Sequence, residues 1–383
     1  MKVALISHEG GGISSVSLGL AKSLARKNID ATIFTGSTKN EENREEGVDI
    51  VRLPIPDIPP RNIWFQLLNH KKLMGLLEGY SVIHGVSPYA SVGFTFFKNN
   101  LNKPFVTTVH ESHTTSREAF LRQPIYSWNL RDFGFYVIAF PLYNYSVNRM
   151  IAKSDHTVFC SQTLLNNIVK NTKVDYDRAS VIYNGVDLEE IDNIDFPEDQ
   201  KPSEFTMIYA GRLYWLKGIM LLLDAFKLLR EKFGDIHLKI YGKGPLENRV
   251  KNFITQNKLE NGISYNGYIK HQTLLTEIKK ADIVVFPSLS ESQSMFMLEA
   301  MACKKPLLAY DYPFSKEVIT DYENGLLAEA QSVTDLRDKM ELLYLDQKLR
   351  VKLGQNAYEY VEKNHNWDIQ IQKYIEVYQK VSK

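Results

Sequence analysis

Apolar residues along the chain fall into short runs, and most runs end at glycine or a polar turn. Residues 3–7 predict a buried strand, followed by Gly10-Gly11-Gly12 and a helix over 15–27 with Leu18, Leu20 and Leu24 toward a core. Residues 31–34 predict the next strand. The interval 37–47, with Glu41, Glu42, Glu45 and Glu46, reads as a solvated loop or loose helix. Strands over 82–84 and 105–110, with a helical segment around 90–97 between them, complete a rhythm of strand, glycine loop and helix. That rhythm predicts an α/β unit with a mostly parallel sheet.

Residues 114–148 break the rhythm. It returns with strands over 158–160 and 179–182 around a helix at 162–170. Asn184-Gly185-Val186-Asp187 marks a turn, and 192–204 is poor in apolar residues. A second alternation follows, with strands at 205–210, 237–241, 264–268 and 283–287 and helices at 219–232, 246–256 and 295–303. Helices are predicted at 333–345, 348–363 and 368–382, the last with Ile371, Ile375 and Tyr378 in phase. That last helix either caps the second half or packs back on the first. The expected division is a Rossmann-like domain over 1–183, a linker region over 184–204, a second Rossmann-like domain over 205–365 and a C-terminal helix over 366–383. No short period repeats, which disfavours solenoids and propellers.

Composition changes this picture little. With 383 residues, 44% hydrophobic and 24% charged, the chain is globular and long enough for two cores. The net charge of +1 divides as +5 over residues 1–180 and −4 over the remainder, too weak a basic excess for a nucleic-acid partner. Cys160 and Cys303 make neither a disulfide framework nor a four-cysteine metal set. The N-terminal run lacks a signal-peptide core, and no uncharged apolar run reaches the roughly 20 residues that span a bilayer. The expected location is cytoplasmic, with peripheral contact on the cytoplasmic membrane face left open.

Three features carry chemistry. Glycines at 10–12 allow close approach of a ligand and let amides address phosphate oxygens at a helix N-terminus, or they form a tight turn. Ile13-Ser14-Ser15 denies them the full dinucleotide spacing. Arg212 and Lys217 flank one strand-to-helix loop and can reach a single oxyanion, the arginine as a planar fork and the lysine as a point charge. Gly242-Lys243-Gly244-Pro245 lies at the next strand end, where open α/β sheets bind ligands. Glu299 interrupts an apolar helix and Glu291 lies in the loop before it, so both can accept from sugar or ribose hydroxyls in one crevice. A helix-dipole contact for Glu291 and a helix–helix salt bridge for Glu299 are the structural alternatives.

Together, Gly211-Arg212-Leu213 with Lys217-Gly218, Gly242-x-Gly244-Pro245, Ala281-Asp282 with Pro287-Ser288, and Glu291-x7-Glu299-Ala300-Met301-Ala302 resemble the retaining glycosyltransferases of family 4 (glycosyl transferases group 1). The early glycines, Asn184–Asp187 and Asn324-Gly325-Leu326 fit the same pattern, which covers most of residues 1–365. The resemblance implies a GT-B fold, two Rossmann-like domains facing a cleft. It implies sugar transfer from a nucleoside diphosphate with retention at the anomeric carbon and without metal or further cofactor. It puts Gly11 and Gly12 near the donor diphosphate or sugar, Arg212 and Lys217 on the diphosphate, and Gly242 at the donor site. Glu299 takes the ribose hydroxyls, Glu291 lies near the transferred sugar, and the base sits by Tyr268 and Ile269. It sets His110 at the cleft, orienting sugar or phosphate or sharing a proton with the acceptor. The donor expected is a UDP-sugar, with GDP-mannose close behind. Two departures bear on selectivity: Ser292-Gln293-Ser294 stands where the family is glycine-rich, and Lys304-Lys305 follows Cys303 where Cys-Gly is usual.

The acceptor side is less generic. Tyr126, Trp128, Phe133, Phe135, Tyr136, Phe140, Tyr143 and Tyr145 crowd one interval, and residues 133–148 carry no charge. Arg131 and Arg149 flank it, and His113, Arg117 and Arg122 precede or enter it as cations that could meet acceptor charge. The aromatics predict a lipid-linked saccharide acceptor at a membrane face; a buried helix pair bearing ordinary core aromatics and a soluble saccharide acceptor are the two alternatives. A nucleotide-sugar epimerase, which would act without acceptor, and a noncatalytic nucleotide-sugar binding protein, which would bind without transfer, are the competing functions.

Overall fold

The computed structural model describes residues 1–8, 11–38, 44–57, 61–86, 91–96, 102–111, 117–118, 120–121, 133–195 and 203–383. It divides into two units, residues 1–185 with 367–383 and residues 186–366.

In the first unit the strands are Lys2–Ile6 (β1), Asp30–Ser37 (β2), Arg44–Glu45 (β3), Val48–Pro54 (β4), Val82–Gly85 (β5), Phe105–Val109 (β6), His156–Phe159 (β7) and Ala179–Val181 (β8). They form one sheet in the order β3-β4-β2-β1-β5-β6-β7-β8. Every pairing is parallel except the short β3 against β4. The central strands are buried along their length, the continuous pattern that a sheet covered on both faces requires. Helix α1 (Gly11–Arg26) follows β1, α2 (Arg61–Leu77) joins β4 to β5, α3 (Phe140–Lys153) precedes β7 and α4 (Gln162–Ile168) follows it. Phe65, Leu73 and Leu77 of α2 share one core with Met150 of α3, so these helices cover the same face.

The glycine run is no free loop: α1 begins at Gly11, earlier than the periodicity predicts, and Gly10 lies outside the described residues. Within 37–47, Arg44–Glu45 is strand rather than loop or helix, while 39–43 lie outside the description. Only 91–96 of the helical segment predicted around 90–97 is described. Tyr126, Trp128, Arg131, His113 and Arg122 also lie outside the described residues.

The second unit opens on α5 (Leu188–Asp192), whose N-cap Asp187 accepts from the Glu190 amide and whose Leu188 and Ile191 enter the core. Its sheet runs β11-β10-β9-β12-β13-β14, all parallel, from Phe205–Ala210 (β9), Ile236–Tyr241 (β10), Ile263–Tyr265 (β11), Ile283–Phe286 (β12), Leu307–Tyr310 (β13) and Leu326–Ala328 (β14). Helices α6 (Ile219–Arg230) and α7 (Glu247–Gln256) pack in one apolar core with the outer helix Val333–Leu345. Helices α8 (His271–Lys280) and α9 (Met295–Ala302) pack in a second core with Gln347–Asn364. The chain builds β9, β10 and β11 outward in one direction, then returns to lay β12 on the other side of β9. Strand order therefore reverses between β9 and β12, the place where open α/β sheets leave a crevice at their carboxyl ends.

The last helix, Trp367–Val381, belongs to the first unit. Gly19 and Gly185 are bare because the Trp367 ring fills the space a β-carbon would take. Its Tyr378 hydroxyl lies 2.7 Å from Nδ1 of buried His84, whose Nε2 is 2.7 Å from the Thr108 hydroxyl. Burial drives the pKa of His84 down to about 3, with the nearby His110 adding to it. Burial likewise lowers His110 to about 4, against Glu111, which raises it, and with His8, which lowers it further.

An unfolded histidine titrates near 6.5, so below that pH the unfolded chain binds protons that the fold refuses. The stabilisation these two residues give is complete above about pH 6.5 and drains away as pH falls toward 4. Unfolding free energies from urea titrations between pH 7 and 4 should fall with a slope approaching about 2.7 kcal/mol per pH unit if both take part, and the midpoints should fall with them. A midpoint unchanged from 6.5 to 5 would contradict the burial of neutral imidazoles.

Candidate active site

Four parallel strands deliver their carboxyl ends to one edge of the second unit's sheet. β9 ends in Gly211-Arg212, β10 in Gly242, β11 leads to Gly267-Tyr268, and β12 ends in Pro287-Ser288. Backbone bonds lace these ends together. The Gly211 amide donates to Tyr241 O at 3.1 Å, Leu213 to Lys243 O at 3.0 Å, and Gly242 to Gly267 O at 2.7 Å. Gly242 has φ +125°, and a β-carbon there would fall on the Gly211 carbonyl oxygen. Gly218 has φ +65° and faces the Pro287 carbonyl oxygen as closely. Only glycine lets these loops come together.

At the reversal point Lys217 forms an ion pair with Glu291 Oε1. The Ser288 hydroxyl donates to the same oxygen at 3.1 Å, and the Leu289 amide donates to Leu216 O at 2.7 Å. Arg212 is exposed, its guanidinium 5.4 Å from the centre of the Tyr214 ring. Among the described residues it has no ion-pair partner. Glu299 projects from α9 and is only 6% exposed, an ionisable side chain where the helix is otherwise apolar. Its Oε1 lies 2.9 Å from Nε2 of His271, the first residue of α8. Tyr268 is 72% exposed and Ile269 half-buried beside the β11 end.

The fold thus joins Lys217 to Glu291 and the Gly242 turn to both Gly211 and Gly267. It sets Arg212 on the same loop as Lys217. Two participants escaped the sequence reading. Ser288 enters the sequence pattern only within the Pro287-Ser288 motif, with no role of its own, and His271 does not enter it. The one available signal for His271 was a histidine four residues after Gly267, at the start of a short polar helix.

With one carboxylate oxygen of Glu299 engaged by His271, the other is left to accept from a ligand. Replacing His271 by alanine should raise the apparent KM for a hydroxyl-bearing ligand about fivefold to tenfold, with kcat little changed, because orientation and not charge transfer is lost. An unaltered KM in initial-rate measurements would remove that role.

Gly11, Gly12 and His110 belong to the first unit. Gly11 and Gly12 form the first turn of α1, where amides lack intrahelical acceptors, and a β-carbon on Gly12 would meet nothing within 4 Å among the described residues. His110, directly after β6, is 7% exposed, and its Nε2 is buried without a hydrogen-bond partner among the described residues. Its low pKa makes it neutral at pH 7. A neutral imidazole at this place can donate or accept a hydrogen bond.

Lys304 has φ +58°, which explains why glycine is usual at this place, and its ammonium lies 4.5 Å from the Tyr358 ring centre. No described helix is long and apolar enough to cross a membrane.

Residues 10–190 match the family "Glycosyltransferase Family 4" and residues 190–360 match "Glycosyl transferases group 1". An uncharacterized glycosyltransferase of Methanocaldococcus jannaschii is 28% identical over 97% of this chain and 95% of its own. Among solved structures, sucrose-phosphate synthase of Thermosynechococcus elongatus superposes with a TM-score of 0.82 at 19% identity, covering 100% of this chain and 99% of that one. HepE of Anabaena, solved with UDP and glucose, gives 0.78 at 16% identity, over 99% of this chain and 100% of its own.

Proposed function

The chain belongs to the group 1 glycosyltransferases of family 4 and has the GT-B fold, and from that premise we propose that it transfers a sugar from a nucleoside diphosphate to a saccharide or lipid-linked saccharide with retention. The observation that carries this reading is the constellation at the β9/β12 reversal, with cations on one loop, Glu291 on the facing loop and Glu299 one helix further on.

In this reading Arg212 and Lys217 receive the diphosphate, Glu299 the ribose hydroxyls, Glu291 the sugar, and Tyr268 and Ile269 flank the base. The bond from the anomeric carbon to the β-phosphate oxygen breaks, its electron pair leaving on that oxygen. The acceptor hydroxyl forms its bond to the same face, and its proton passes to the departing phosphate. Fixed cations lower this barrier because they are already oriented when the charge develops. His110 orients the sugar or phosphate or shares a proton with the acceptor, and the α1 amides of Gly11 and Gly12 address the sugar or phosphate. UDP-sugars are preferred to GDP-mannose, a choice supported by UDP in the Anabaena relative.

The test is a donor panel of UDP-sugars and GDP-mannose with saccharide acceptors, read by mass spectrometry and by the anomeric proton coupling of the product. Transfer with the donor's configuration kept supports the reading; an inverted product removes retention, and transfer only from donors without a nucleoside diphosphate removes the donor class.

A membrane-side acceptor is supported by apolar exposure on the face that α2 and α3 cover. Leu67 and Leu68 stand exposed beside Lys71 and Lys72 on α2, and Ile138, just before α3, and Leu142 and Tyr145, in its first turns, are exposed as well. Apolar side chains beside cations suit an anionic lipid surface. Cosedimentation with anionic vesicles should drop about tenfold in Leu67→Glu/Leu68→Glu. Equal pelleting of both proteins, or none by the wild type, would count against membrane contact.

A further inference from the structure

The cation expected to meet the diphosphate is already engaged. Lys217 pairs with Glu291, and the pair is built rather than incidental. Glu291 is 13% exposed at its side chain and Lys217 29%. Ser288 steadies the carboxylate at 3.1 Å and also lies 3.2 Å from Leu216 O, which joins the two loops. Gly218 lies close against the Pro287 carbonyl, and the Leu289 amide donates to Leu216 O at 2.7 Å, so the two loops meet beside Lys217. A diphosphate arriving alone therefore competes with Glu291 for Lys217: it binds a lysine whose charge is already partly satisfied, or it draws the lysine off and leaves Glu291 a shielded charge with one fewer partner, and either way it binds less well.

We propose that Glu291 acts as a gate on Lys217, so that the sugar and diphosphate halves of the donor bind cooperatively. The inference rests on the donor assignment above. Sugar hydroxyls donating to Glu291 replace the ammonium as its partner, and the released ammonium turns to the phosphate oxygens. A nucleoside diphosphate without sugar offers only the second half of this exchange. After transfer, the sugar no longer holds Glu291, the Lys217–Glu291 pair re-forms, and the spent nucleoside diphosphate loses one of its cations. The same exchange thus favours loaded donor over product and speeds product release.

Titration calorimetry on the full chain with UDP against UDP-glucose, and GDP against GDP-mannose, tests this. In Glu291→Gln, affinity for the bare nucleotide of the binding pair should rise about tenfold, while that for the nucleotide sugar should hold or fall. The preference for loaded donor therefore collapses. Ser288→Ala, which removes one hydroxyl from the lacing, should move the preference the same way by a smaller factor. The deciding arm is the Lys217→Met background, where Glu291→Gln should no longer alter nucleotide affinity, because the gate has nothing to hold. If the gain persists there, Glu291 acts only through its field and the gate is wrong. If wild type binds but Glu291→Gln leaves bare-nucleotide affinity unchanged or lower, the gate is also wrong. A wild type that binds neither pair overturns the donor assignment itself, an outcome distinct from both.

Discussion

Arg212→Ala is expected to lower turnover about 10²–10³-fold while the thermal transition stays where it is, the loss typical of one oriented donor removed from a developing oxyanion. The side chain is exposed and lies over the Tyr214 ring, so its removal takes little from the fold. Arg212→Lys should recover only part of the rate, since a point charge does not reproduce a planar fork on two phosphate oxygens. Lys217→Ala should cost a similar factor in kcat and also free Glu291 from its pair. The two losses should not add in the double variant, because both cations serve one leaving group. Initial rates with saturating donor, alongside circular dichroism melts, measure this. Near-normal turnover in both single variants would end their catalytic assignment.

The second large effect is structural. Gly242→Ala should destabilise the unit formed by residues 186–366 by at least about 2 kcal/mol and abolish donor binding, because φ there is +125° and the new carbon lands on the Gly211 carbonyl. The strand-end loops must separate to accept it, and Arg212 moves with them. Gly234→Ala is the matched control, since a β-carbon there meets nothing within 4 Å and should change stability by less than about 0.5 kcal/mol. Equal melting temperatures for the two variants would show that the strand-end crossing is not tight.

Much of the second unit was legible from the chain alone, because β9 and β12 are nearly uninterrupted apolar runs and chemistry-bearing residues stand at their ends. What escaped has physical causes. Helix α2 exposes Leu67 and Leu68 while burying Asn69, so its apolar stripe is blurred. β4 sits beside the two-residue edge strand and carries Asp49 and Arg52, which dilute its pattern. α8 is short, polar at its start and held by Leu275 and Ile278 alone at its fully buried positions.

At the site, residue types were readable but partnerships were not. Lys217 and Glu291 are 74 positions apart, and His271 and Glu299 are 28 apart. Only the reversal of strand order between β9 and β12 sets the first pair face to face, and local spacing does not encode it. The final helix shows the same limit. Its amphipathic stripe announced a buried face, and only the fold reveals that Trp367 and Tyr378 bury it against Gly19 and His84.

The central claim is that one pocket of the second unit grips a donor by its phosphates and its ribose. A crystal structure of the full chain grown with UDP tests it most directly. The account predicts diphosphate oxygens within hydrogen-bonding reach of Arg212 and the ribose hydroxyls on Glu299 opposite His271, with Glu291 still close to Lys217 because no sugar is present to draw it away. UDP bound elsewhere, with Arg212 and Glu299 both untouched, would contradict it.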